Sequence, residues 1–171
     1  MKRFAIIYLP VLLLVFTACT TGAEKCPDID FDQEMSEIRI LLEQYELARE
    51  CGDFTTVERI WAPDTNIILF GTEGEEQLAG IDAILKAMKR QFSEFQNTFI
   101  NISDQKIQIS KTGQTAWFSQ VLDYNFIYQG NNVIFEDIRF TGVLEKRSGK
   151  WMMVQGHLSV PYEADIGERT K

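Results

Sequence analysis

Thr98–Ser110 (TFINISDQKIQIS), Ala116–Tyr128 (AWFSQVLDYNFIY), Asn132–Lys146 (NVIFEDIRFTGVLEK) and Lys150–Tyr162 (KWMMVQGHLSVPY) are four runs of one continuous stretch, and their reading decides the fold. Apolar residues recur at every second position, and Ile, Val, Phe, Tyr and Trp predominate, which is the pattern of strands with one buried face. Lys111-Thr112-Gly113, Gly130-Asn131-Asn132 and Arg147-Ser148-Gly149 separate the runs as turn signals. Long strands joined by short turns pair antiparallel, so the stretch predicts a four-stranded meander.

Upstream the period is that of a helix. From Asp30 to Cys51, Phe31, Met35, Ile38, Leu42 and Tyr45 recur every three or four residues, with Leu41 and Ala48 widening the stripe. Asp30 with Gln33 is a capping pair, and Gly52 is a stop. Asp53 caps a second, short helix carrying Val57, Ile60 and Trp61, which Pro63 ends. Ile67 to Phe70 is a short apolar strand, Gly71 to Gly74 a turn, and Glu75 to Ala79 a return strand. Gly80 opens a third helix with the stripe Ile81, Ile84, Leu85, Met88, Phe92 and Phe95. Helices followed by an antiparallel meander predict an α+β layer fold. A long sheet curled around helices leaves a cavity at its open end, the generic binding site of such a plan.

The first residues carry a different message. Met1-Lys2-Arg3 is basic, Phe4–Phe16 is an uncharged apolar run containing Pro10, and Thr17-Ala18-Cys19 is small. That order is a secretory signal, and the run is shorter than the roughly 20 residues of a membrane span. Phe16-Thr17-Ala18-Cys19 resembles a bacterial lipobox, which makes Cys19 the expected lipidated first residue; an ordinary cleavage site beside a cysteine is the alternative. Thr20 in place of Asp favours outer-membrane sorting. The expected organisation is a signal over residues 1–18, a lipidated tether over 19–32, one domain over 33–162 and a tail over 163–171. Export permits a disulfide between Cys26 and Cys51; a free Cys26 with a buried, apolar Cys51 is the other reading.

The chain of 171 residues has a formal net charge of −8, and loss of Lys2 and Arg3 makes the mature protein more acidic still. Nucleic acid and anionic membrane surfaces repel such a protein. No zinc spacing, P-loop, dinucleotide glycine motif, nucleophile elbow or CxxC occurs, so neither a tightly bound metal nor a nucleotide cofactor is expected.

Several strings resemble a known family. Gly149-Lys150-Trp151-Met152-Met153-Val154-Gln155-Gly156-His157-Leu158-Ser159 looks like its last strand, with Pro161 close behind. Arg139-Phe140-Thr141-Gly142-Val143 is similar to the R-x-T-x-V of the preceding strand, and Ala116-Trp117 to the start of the strand before that. Gly52-Asp53 with Val57 and Trp61 resembles the family's first helix pair, and Gly80-Ile81 its third-helix glycine. The family is the SnoaL-like domains of the nuclear transport factor 2-like superfamily, and the likeness covers roughly residues 34–162. It implies an α+β cone, three N-terminal helices on a strongly bent antiparallel sheet (nuclear transport factor 2-like, cystatin-like). Relatives pair through the outer sheet face, so a homodimer is implied. The fold hosts isomerases, cyclases, dehydratases, binding modules and oligomerisation domains, and so leaves the activity open.

Candidate site residues follow from chemistry. His157, the only histidine, is an acid/base candidate near neutral pH or a structural residue bonding a backbone group or a subunit partner; strict alternation sets it with Met153, Gln155 and Ser159, opposite the more apolar Met152, Val154 and Leu158, which favours the structural role. Asp123 interrupts an apolar strand, where a cavity carboxylate would work beside a carbonyl; an aspartate on a solvated or subunit-facing sheet surface is the equal alternative. Arg139 is a carboxylate-binding candidate or an ion-pair partner of Asp137 or Asp123. Glu136, on the opposite and more apolar face, is an alternative pocket acid. Tyr45, Trp61, Trp117, Tyr124 and Phe126 are aromatic candidates for the pocket, each equally suited to plain core packing. Glu73, Glu75 and Glu76 read as a solvated hairpin tip, with weak calcium binding as the alternative.

Three functions are therefore expected in order. The first is a lipid-anchored cell-envelope protein holding a small, mostly apolar ligand in the cone. The second is a cofactor-independent isomerase or cyclase using Asp123 or His157, and the third a dimerising interaction module without catalysis.

Overall fold

The computed structural model describes residues 29–72 and 77–161. The expected signal, Cys19, the tether as far as residue 28 with Cys26, the acidic turn Glu73–Glu76 and the tail lie outside those residues, while Phe31 and Asp32, expected at the end of the tether, already belong to the first helix.

Short-range rules place the helices. Helix α1 (Phe31–Cys51) starts where Asp30 Oδ1 accepts from the Gln33 amide at 3.0 Å and stops at Gly52, whose φ of 67° is the left-handed region that glycine enters freely. Helix α2 (Phe54–Ile60) is capped by Asp53, which accepts from the Thr56 amide at 3.1 Å. Its end turns extended at Trp61 and runs beside the last strand, with the Ala62 amide donating to Met153 O at 2.9 Å. Helix α3 (Ile81–Glu94) follows Gly80 and passes directly into a strand at Phe95. Cys51 is exposed, not buried.

The strands are β1 (Ile68–Phe70), β2 (Gln77–Ala79), β3 (Phe95–Ile109), β4 (Thr115–Tyr128), β5 (Asn131–Arg147) and β6 (Lys150–Ser159). They form one sheet in the order β2-β1-β6-β5-β4-β3. The meander β3 to β6 is antiparallel as expected, but β1 runs parallel to β6, so the sheet is mixed. The second hairpin turns at Gln129-Gly130, one residue earlier than Gly130-Asn131-Asn132, and β5 already begins at Asn131. Both residues have positive φ there, as do Ser148-Gly149 in the next hairpin, the primed-turn geometry whose twist matches the strands.

Extra residues interrupt the ladder and bend it. Strand β3 carries one between Gln96 and Phe99 and another between Ser103 and Lys106. On β5, Glu136 and Asp137 together oppose Asp123, and on β6 the extra residue is Val154. Asn97, Asp104 and Asp137 have φ near 50° at these bulges. Each bulge adds curl and reverses the inward–outward alternation beyond it. The strict alternation read for β6 therefore fails: Trp151 and Met153 point inward before Val154, and Gly156 and Leu158 after it. The curled sheet closes over Ile38, Leu42 and Tyr45 of α1, Val57 of α2, Trp61 just beyond it, and Ile84 and Met88 of α3.

Candidate functional site

The open end of the cone holds a cavity of about 550 Å³. Phe95, Tyr124, Phe126 and Phe135 of the sheet form its aromatic wall, while Met88 and Gln91 of α3 and Arg49 of α1 complete its sides. Aromatic pairing holds the wall. Phe95 stacks on Phe126 with centroids 3.9 Å apart, and Tyr128 meets Phe95 edge-on at 5.7 Å. Tyr124 and Phe135 flank Phe126 at 5.1 and 6.1 Å. Such pairs fix ring positions beyond what area burial alone does.

Beneath this wall runs a buried polar chain. Glu46 and Arg49 are one helical turn apart on the inner face of α1, 3% and 5% exposed, and Arg49 Nη1 donates to Glu46 Oε2 at 2.8 Å. Gln120 Nε2 donates to Glu46 Oε1 at 3.0 Å, and Gln105 Nε2 to Gln120 Oε1 at 2.9 Å. Gln105 sits in the second β3 bulge, opposite Gln120. The Arg49 guanidinium carbon lies 5.6 Å from the Tyr45 ring centroid and 5.0 Å from that of Tyr124. Gln91 Nε2 donates to the Tyr124 hydroxyl. Arg49 Nε is buried and finds no acceptor among the described residues.

Burial pushes the Glu46 carboxyl above its ordinary range, against the pull of the adjacent guanidinium. It also raises the hydroxyls of Tyr124 and Tyr45, the latter to about 12. For Tyr45 this has a consequence at alkaline pH. The unfolded phenol ionises near pH 10 and the folded one later, so its contribution is whole below about pH 10 and is lost between about 10 and 12. The expected loss is roughly 3 kcal/mol. Urea midpoints followed from about pH 9 upward should fall less steeply in Tyr45→Phe than in the wild type; equal slopes would refute the assignment.

The sequence-derived candidates divide. Tyr124 and Phe126 are on the cavity wall. Tyr45 and Trp61 are buried core behind it, joined by a hydrogen bond from Trp61 Nε1 to the Tyr45 hydroxyl at 3.3 Å. The others are not on the cavity. Trp117 is 48% exposed on the outer sheet face. Asp123 also faces outward, accepting from Asn101 Nδ2 and the Asp137 amide, each at 3.3 Å, so it serves the bulge. Glu136 is turned out by that bulge, and Arg139 is exposed on the outer face. His157 is exposed beside Phe70, with ring centroids 5.7 Å apart. Sequence reading missed Glu46, Arg49 and Gln91. The signal was present: Glu46 follows Leu42 by four residues and Arg49 follows Tyr45 by four, which puts both charges on the apolar stripe.

Comparison with known proteins agrees with this architecture. The family model described as "SnoaL-like domain" matches residues 38–163. None of the curated proteins matches the chain in sequence. Among solved structures, a nuclear transport factor 2-like superfamily protein from Salmonella enterica superposes with a TM-score of 0.71 at 15% identity, covering 81% of this chain and 98% of that one. A candidate dehydratase of the same family from Streptomyces avermitilis gives 0.69 at 16% identity, covering 77% and 99%. A candidate scytalone dehydratase from Novosphingobium aromaticivorans gives 0.69 at 16% identity, covering 81% and 91%. At these identities the likeness is one of fold.

Proposed function

The chain belongs to the SnoaL-like domain family, and from that membership we propose that it is a cell-envelope protein holding a small, mostly apolar molecule in the cone cavity. The observation that carries this reading is the aromatic wall. Phe95, Phe126 and Phe135 pack on one another and, among the described residues, leave a mostly apolar space of about 550 Å³ beside them unfilled by side chains. That volume and lining are those of small-molecule sites. The basic, apolar and small segments ending at Cys19 support export and lipid anchoring. Exposed Phe99 and Ile134, both paired with Asn125 on the outer face, support self-association through the sheet and leave the cavity mouth free.

The acid–base reading has less behind it. Asp123 and His157, its two candidates, lie on the outer face, away from the cavity wall. Among the described residues the lining holds a single carboxylate, Glu94, which is exposed.

The test uses the chain from Cys26 onward, which contains every described helix and strand, all closed around one core. Native mass spectrometry followed by denaturing extraction should release a bound small molecule. Ala87 lines the cavity on α3. Ala87→Phe should fill the space and reduce binding of the fluorescent probe anilinonaphthalene sulfonate by about tenfold or more, with little change in melting temperature. Unchanged probe binding in that variant would remove the cavity as the site.

A further inference from the structure

We propose that the molecule held in the cavity carries a carboxylate, and that this group docks on Arg49. The inference rests on the binding reading above and adds the chemical class of the ligand: an apolar carboxylic acid.

The argument is one of donors without acceptors. A guanidinium presents five N–H groups in a planar fork that fits a carboxylate through two parallel hydrogen bonds. In this domain Arg49 uses Nη1 on Glu46, and the Tyr45 and Tyr124 rings cover it. Nε, on another edge of the fork, is shut off from water and has no acceptor among the described residues. An orphan donor of this kind is unfavourable and rare in a native core. Arg49 lines the cavity and hydrogen-bonds among the described residues only through Nη1, so an acceptor entering there meets the unengaged part of the fork.

Tyr124 adds a second donor. Its hydroxyl oxygen accepts from Gln91 Nε2, which leaves its own hydrogen to be given away, and Tyr124 also lines the cavity. Arg49 and Tyr124 therefore offer N–H and O–H together. An ionised carboxylate only accepts and satisfies both, whereas an amide or alcohol head group brings a hydrogen of its own against a donor. Glu46 engages the guanidinium through Nη1 alone and leaves the other edge of the fork unoccupied by a carboxylate. Away from this polar end the wall is Phe95, Phe126 and Phe135, which suits a planar or aliphatic body.

The experiment compares head groups on one apolar body. 2-Naphthylacetate, 2-naphthylacetamide and 2-naphthylethanol are titrated calorimetrically into the same protein. The acid should bind at least about tenfold more tightly than the amide or the alcohol. In Glu46→Gln/Arg49→Gln, which removes both charges and keeps hydrogen-bonding side chains, acid and amide should converge while amide affinity is retained. Arg90→Gln, at the exposed mouth, should leave the preference intact, and it remains informative if the double variant does not fold. Equal binding of the three compounds by the wild type would overturn the carboxylate and leave the binding reading standing. A preference that survives the double variant, or that disappears with Arg90→Gln, would move the anion away from Arg49 and overturn the proposal. If none of the compounds binds and Ala87→Phe does not alter probe binding, both readings fall together.

Discussion

Arg49→Met should cost the domain about 3–5 kcal/mol of stability at neutral pH, because it leaves the Glu46 carboxylate buried without its cation. Among the described residues only Gln120 would then serve that carboxylate. The deficit has a definite pH dependence. Losing Arg49 removes the influence that lowers the Glu46 pKa and leaves the burial that raises it, so the folded value climbs further. A carboxyl whose folded pKa is raised leaves stability whole below its unfolded value and loses it as pH rises through the folded one. The gap between variant and wild type should therefore be smallest near about pH 4 and widen toward neutrality. Adding Glu46→Gln to Arg49→Met should recover most of the loss at neutral pH. Urea unfolding at an acid and a neutral pH decides it. A gap of equal size at both would mean that Glu46 is not a buried charge.

Gly142→Ala should be comparably damaging for a purely steric reason. Gly142 stands between Phe118 on β4 and Gly156 on β6 in the cross-strand register. A methyl group on Gly142 would lie 2.5 Å from Phe118 Cε1 and 2.7 Å from the Gln155 carbonyl oxygen. The first neighbour is a ring already locked edge-on against Phe140 at 5.0 Å, and the second is backbone. Overpacking of this kind costs about 1–3 kcal/mol, and more where backbone must move. The expected fall in melting temperature is on the order of 10 °C for a domain of this size. Phe118→Leu in the same chain should restore part of it by clearing the ring, while the clash with the Gln155 carbonyl remains. A fall of less than about 3 °C in Gly142→Ala would show that the sheet accommodates the methyl group without strain.

Both variants act where sequence reading was weakest. Local rules were legible: Asp30, Gly52 and Asp53 bound the first two helices as read, and Gly80 precedes the third. Alternation identified four meander strands, with errors at their ends. Phe95 was read as helix but belongs to β3, where it pairs with Tyr128 and stacks on Phe126. The bulges were not legible, because an extra residue on one strand is defined only against its neighbour. Each reverses the alternation beyond it, which is why Glu136 was assigned to the cavity side and Met153 to the outer face. Glu46 and Arg49 escaped notice because charged residues on a helix ordinarily mark its solvent face.

What the sequence determined by itself is the set of elements, their order and the family: caps, glycines and apolar period act over a few residues and need no partner. Tertiary structure decided which side chains meet in the cavity. Arg49 becomes a buried, half-satisfied cation only because the sheet, bent at its bulges, closes Tyr124 and Gln120 over the last turns of α1. Burial and hydrogen-bond satisfaction are properties of surfaces brought together, and no single strand or helix carries them in its own pattern.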